Sequence, residues 1–137
     1  MSLSSIVVGV DGTAPSLRAL AMAVGVASRE KGSVHACFVS HTPVPAVGLA
    51  VGIAPVVLDE EDGGDLGQAV REELDRAGVV GDFTVCDGDV GREIEAFAEA
   101  HHADLIVVGR SRHPALHLGG VPRRLLNCGR WPLLVVP

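Results

Sequence analysis

Ile6 to Val24 reads IVVGVDGTAPSLRALAMAV, and its reading decides the fold. Ile6 to Val10 is an almost unbroken β-branched run, the pattern of a parallel strand buried on both faces. Asp11-Gly12 stops it. Thr13 then offers an N-cap with Pro15 in the first helical turn. Leu17, Leu20, Ala21 and Val24 recur at i, i+3, i+4 and i+7, which predicts an amphipathic helix to about Lys31. A buried strand, a tight turn and a helix make the opening of a β-α-β unit.

The alternation continues along the chain. Ser33 to Ser40 (SVHACFVS) reads as a second strand. Residues 41–58 are rich in Val, Ala, Gly and Pro without a firm period, and read as a long apolar loop or flap. A second helix is expected from about Asp65 to Ala77, with Leu66, Ala69, Val70, Leu74 and Ala77 on one face. A third strand covers Phe83 to Cys86. The third helix runs from about Val90 to His101, burying Val90, Ile94, Phe97 and Ala98 and exposing Glu93, Glu95 and Glu99. Asp104 to Gly109 gives a fourth strand, a short helix follows Gly120, and Pro132 to Val136 gives the fifth strand. Five strands alternating with helices predict a parallel sheet covered on both faces, in one domain spanning residues 1–137. Ligands of such sheets bind beyond the strand carboxyl ends, where the strand order reverses. That brings Asp11, the end of the second strand and the loop after Gly109 to one edge.

Composition narrows the function. The chain has 137 residues, 47% hydrophobic and 20% charged, so one sizeable core is expected. With three Phe, one Trp and no Tyr, that core is aliphatic. A net charge of −6 argues against broad nucleic-acid binding. The basic residues Arg110, Arg112, Arg123, Arg124 and Arg130 nevertheless gather at the C-terminal end. Cys37, Cys86 and Cys128 are odd in number and far apart, without a CxxC, so neither a zinc cluster nor a disulfide framework is indicated. Cys37 and Cys86 are expected as small buried residues within strands. The N-terminus lacks a basic region before its short apolar run, and no stretch reaches membrane-spanning length. A cytoplasmic protein without membrane contact is the expectation.

Several chemistries are disfavoured. His113 and His117 have i, i+4 spacing but Pro114 lies between them and no third ligand is apparent, so no metal is predicted. His101-His102 at a helix end fits a favourable dipole interaction. Ser111 follows a strand, yet the GxSxG elbow requires glycine where His113 stands. Neither GxxxxGK nor GxGxxG occurs. Glu60 and Glu61 sit in an acidic run without the burial that raises a catalytic pKa. The residues point to no enzyme class.

Val107 to Leu126, VVGRSRHPALHLGGVPRRLL, has the layout of a phosphate-binding turn: strand, basic loop, then glycines opening a helix. Together with IVVGVDGT, GDVGREI, ADLIVVGRS and CGRWPLLVVP, taken in order, it makes the chain resemble the universal stress protein family along its full length. The resemblance implies a flavodoxin-like or Rossmann-like open parallel five-stranded sheet of order 3-2-1-4-5. It also implies an adenine-nucleotide site, ATP in one branch, built on Gly-x2-Gly-x9-Gly-Ser/Thr after the fourth strand. Glycines there let backbone N–H groups approach phosphate at a helix N-terminus. By position, Gly109 matches the first glycine and Gly119 the third, while Gly9, Asp11 and Val39 match positions near the nucleotide.

The motif is altered. Arg112 replaces the second glycine, six residues separate it from Gly119, and Gly120 replaces the hydroxyl residue. Pro122 removes one N–H from the first turn. Each loss is worth about 1 kcal/mol, so ATP binding is expected to be weak or absent. Arg110, Arg112, Arg123 and Arg124 have two readings, phosphate contacts or a solvated basic face. Asp11 also has two, a ligand contact or a residue that shapes the first turn. The expected function is a stress-response binding module. It is expected to pair as a homodimer through Pro132 to Val136, a flat apolar strand at a sheet edge. The alternative is an adenine-nucleotide switch that uses the arginine-rich loop.

Overall fold

A computed structural model describes residues 2–40, 60–110 and 120–137. Expectations for residues 41–58 and for Ser111, Arg112, His113, His117 and Gly119 fall outside them. The elements run β1 (Ser5–Gly9), α1 (Ala14–Glu30), β2 (Ser33–Ser40), α2 (Glu60–Ala77), β3 (Val80–Asp87), α3 (Val90–Ala100), β4 (Leu105–Gly109), α4 (Gly120–Cys128) and β5 (Leu133–Val136). All four strand pairings are parallel, in the order β3-β2-β1-β4-β5. The expected flavodoxin-like sheet is the one observed. No helix of the described residues is long and apolar enough to cross a membrane.

The strand order dictates where the helices lie. Parallel crossovers keep one hand, so a chain stepping outward from β1 to β3 lays its helices on one face. When it returns to β4 and steps the other way, the same hand requires the opposite face. Accordingly α1 and α2 share one core with Ile6 and Val8 of β1 and Val107 of β4. Ile94, Phe97 and Ala98 of α3 and Leu125 of α4 form the other core with Val7, Ile106 and Val108. Because consecutive residues of β1 and β4 enter opposite cores, both strands need an uninterrupted apolar run.

Three element readings change. The buried face of α1 is Ser16, Ala19, Leu20, Ala23, Val24 and Ala27, whereas Leu17 is 40% exposed and Ala21 faces solvent. Leu20 and Val24 are buried as expected, while the face turns away from Leu17 and Ala21. Ser16, Ala19, Ala23 and Ala27 are small, which lets the helix approach the sheet closely beside Leu20 and Val24. Helix α2 begins at Glu60 rather than Asp65, and its Ala69 is exposed. Strand β3 has 8 residues, and every one pairs with β2. It was read as only Phe83 to Cys86 because its edge position leaves the rest exposed, Val80 by 77%.

Helix α3 has a clear start. The Asp89 carboxylate accepts the N–H of Arg92 at 3.0 Å, satisfying one of the otherwise unpaired first-turn donors.

Candidate functional site

At the point where the strand order reverses, β1 and β4 lie side by side and their following turns diverge. A crevice of about 200 Å3 opens there, at the carboxyl ends of the strands. Gly9, Val10 and Asp11 continue β1 into its wall. Cys37 and Val39 of β2, Val90 and Ile94 of α3, and Val108, Gly109 and Arg110 at the end of β4 complete it, with Val121 and Pro122 of α4 at one side. Side chains from both cores reach it, so its floor is apolar and its polar groups collect at the rim.

Asp11 shapes the rim. Its Oδ1 accepts the backbone N–H of Thr13 at 2.9 Å and the Thr13 hydroxyl, which is an Asx-turn reinforced by a second donor. The Asp11 N–H donates to Ser16 Oγ at 3.1 Å, and that hydroxyl donates to the Thr13 carbonyl at 3.0 Å. Thr13 is the N-cap of α1 by position, but its hydroxyl serves Asp11 instead of a helix N–H. Partial burial pushes the Asp11 carboxyl up. The Thr13 donors, with help from Ser16 and Asp11's own N–H, outweigh burial and hold it below its ordinary value of 3.8. Asp11 is therefore an anion that shapes the turn. Its Oδ2 has no hydrogen bond among the described residues and is available to a ligand donor.

The glycines answer different demands. A Cβ on Gly109 would stand 2.6 Å from the Pro15 carbonyl carbon and 2.6 Å from the Ser16 N, both backbone atoms. Gly109 is therefore required by the contact between β4 and the first turn of α1, whatever else it does. A Cβ on Gly9 would come within 3.1 Å of the Ile94 Cδ1, so glycine there keeps the crevice open. Gly120 opens α4 at φ +47°, a left-handed position that suits glycine. It is half-buried and does not line the crevice.

The arginines separate. Arg110 lines the crevice, and its backbone N–H donates to the Val136 carbonyl at 2.7 Å. Arg123 is exposed on α4 and is not among the described residues that line the crevice. Arg124 is committed elsewhere. Its Nε donates to Glu95 Oε1 at 3.2 Å, Nη1 lies 3.5 Å from Asp89, and its chain crosses Gly91, where a Cβ would collide with it. It fastens α4 to α3. Arg130 pairs with Glu99 at 3.3 Å and covers the Trp131 ring at 4.5 Å.

Sequence reasoning placed Gly9, Asp11, Val39, Gly109 and Arg110 at this edge, and all five line one crevice. It missed Thr13, Ser16 and Cys37. The first had a legible signal, since Asp followed two residues later by Thr is an Asx-turn pattern. The other two had none, because their orientation depends on how α1 and α3 seat on the sheet. Cys37 is buried, with its Sγ 3.3 Å from that of half-buried Cys86 across β2 and β3, and burial pushes its thiol up.

An open α/β sheet with a crevice of this kind at its reversal point defines the doubly wound class. The universal stress protein family profile matches residues 3–137, and the chain belongs to that family. A universal stress protein of Methanocaldococcus jannaschii is 31% identical, the alignment covering 96% of this chain and 80% of that one. A universal stress protein in complex with cAMP superposes with a TM-score of 0.77 at 21% identity, covering 100% of this chain and 99% of the other. The Archaeoglobus fulgidus universal stress protein in complex with dAMP gives a TM-score of 0.73 at 18% identity over 100% of both chains.

Proposed function

We propose that this protein is a stress-response binding module whose crevice takes an adenine nucleoside monophosphate, free or cyclic, and that ATP binds weakly or not at all. One observation carries the reading: an apolar crevice with a carboxylate acceptor and a single arginine among its described lining residues. Val39 and Val90 offer flat apolar contact to a base. The unpaired Oδ2 of Asp11 accepts from a ribose hydroxyl or a base amino group. Arg110 supplies charge for one phosphate. A triphosphate needs several more donors, and Arg123 and Arg124 lie outside the crevice or are paired. The related structures that hold cAMP and dAMP agree with this ligand size.

The role is binding rather than turnover. The Ser16 and Thr13 hydroxyls are both committed to the turn, and burial keeps the Cys37 thiol protonated. Thiols in contact at Cys37 and Cys86 suit the reducing conditions of a cytoplasm. The functional unit is proposed to be a homodimer paired along β5, whose outer edge carries the half-exposed Val135.

Isothermal titration with AMP, cyclic AMP and ATP tests the ligand. The expected result is measurable binding of AMP or cyclic AMP, lost in Asp11→Ala, with ATP at least about tenfold weaker, a difference of 1.4 kcal/mol or more. ATP binding as tight as AMP would favour the nucleotide switch built on the arginine-rich loop. Silence from all three, with the fold intact, would reject a nucleotide ligand.

A further inference from the structure

At the opposite end of the sheet from the crevice, three elements bring together side chains of metal-ligand type. His35 is the third residue of β2, and Asp82 is its direct register partner on β3. His101 caps the C-terminal end of α3, which packs over the same face. His35 Nδ1 lies 3.1 Å from Asp82 Oδ1, and the His101 ring stacks on that of His35 with centroids 4.1 Å apart. One ligand atom from each of the three residues lies within 4.8 Å of the others.

We propose that His35, Asp82 and His101 form a binding site for a divalent transition-metal ion of the zinc type. Two imidazoles and a carboxylate are a borderline donor set that suits Zn2+ or Co2+ better than Ca2+ or Mg2+. Ligand atoms around a tetrahedral zinc at about 2.0–2.1 Å are separated by about 3.3 Å. The His35–Asp82 pair already has nearly that separation. His101 has at most about 1.5 Å to close, and neither of its ring nitrogens is hydrogen-bonded among the described residues. Its backbone is firmly held, the N–H by the Phe97 carbonyl at 3.0 Å and the carbonyl by the Ser5 hydroxyl at 2.9 Å. Only its side chain has to turn.

The supporting shell is in place as well. Ser33 Oγ lies 3.1 Å from His35 Nε2. When the ion takes the Nδ1 lone pair, the ring proton resides on Nε2 and donates to Ser33, the outer contact that fixes a ligating histidine. Three protein ligands leave a fourth position for water. Bound there, the ion would tie the edge strand β3 and the end of α3 to β2.

Chelator-treated protein titrated with Co2+, followed by absorption and then by displacement with Zn2+, tests the site. The expected result is one Co2+ per chain, visible d–d bands without a thiolate charge-transfer band, and displacement by Zn2+. His101→Gln and His35→Asn should each weaken binding at least about tenfold. His102→Gln, one residue beyond the site, should leave it unchanged. No saturable uptake, a thiolate band assigning the ion to cysteine, or parental affinity in His101→Gln would overturn the proposal. Should His35→Asn fail to fold, His101→Gln decides, because that side chain sits half-buried at a helix end.

Discussion

Gly109 does its work through what it lacks. The first turn of α1 lies against its Cα so closely that a methyl group would meet the backbone of Pro15 and Ser16. Backbone atoms cannot swing aside as a flexible side chain does, so Gly109→Ala should destabilise the fold by about 3 kcal/mol. A Tm drop of roughly 10 °C is expected by circular dichroism, and a parental melting curve would show that α1 can retreat. Asp11 works through charge. Its native pKa lies below 3.8, so its stabilising contribution is complete above that value. The contribution is lost as the pH falls through the lower native value. Asp11→Asn should therefore lower stability at pH 7 and narrow the gap to the parent as the pH falls below 3.8, as measured by urea unfolding across that range. The same amide changes one acceptor into a donor and should weaken AMP binding.

At the scale of elements, α3 connects the two ends of the molecule. Its N-terminus is capped by Asp89, its first half supplies Val90 and Ile94 to the crevice, and its end carries His101. Asp89→Ala should cost about 1 kcal/mol, chiefly from the cap, since the 3.5 Å contact with Arg124 is exposed and contributes little. Asp89→Ser should recover most of the loss in the same thermal melts. Helix α3 was legible in the sequence because Ile94, Phe97 and Ala98 repeat at helical spacing beside a run of glutamates. Helix α1 was legible as a helix but only in part of its buried face. Hydrophobic periodicity favours Leu17, whereas the fold selects the smaller residues that allow contact at Gly109. Strand β3 was shortened for the converse reason, because an edge strand exposes residues that carry no hydrophobic signal.

Over the whole molecule, the sheet has two edges, and β5 is the one proposed to meet a second copy. Leu134 and Val136 point into the α1 core and Leu133 into the other, leaving Val135 as the side chain 42% exposed on that strand. A lysine there keeps the monomer core intact while placing like charges opposite each other across a paired edge. Val135→Lys should raise the dimer dissociation constant by about tenfold or more, detected by light scattering across a dilution series. An unchanged mass at every concentration would exclude β5 as the interface.

By itself, the sequence determined the order and type of the elements and therefore the sheet. Strands buried on both faces must be continuously apolar, and parallel crossovers of one hand leave few ways to connect them. It also determined that Asp11, Val39 and Gly109 would meet, since topology alone carries those strand ends to one edge. Only the tertiary structure decided which of the described arginines lines the crevice, because exposed positions on α4 differ by a rotation that no pattern of charged residues encodes. Only it brought His35, Asp82 and His101 together, as their separation along the chain hides a cluster made by strand register and the seat of a helix end.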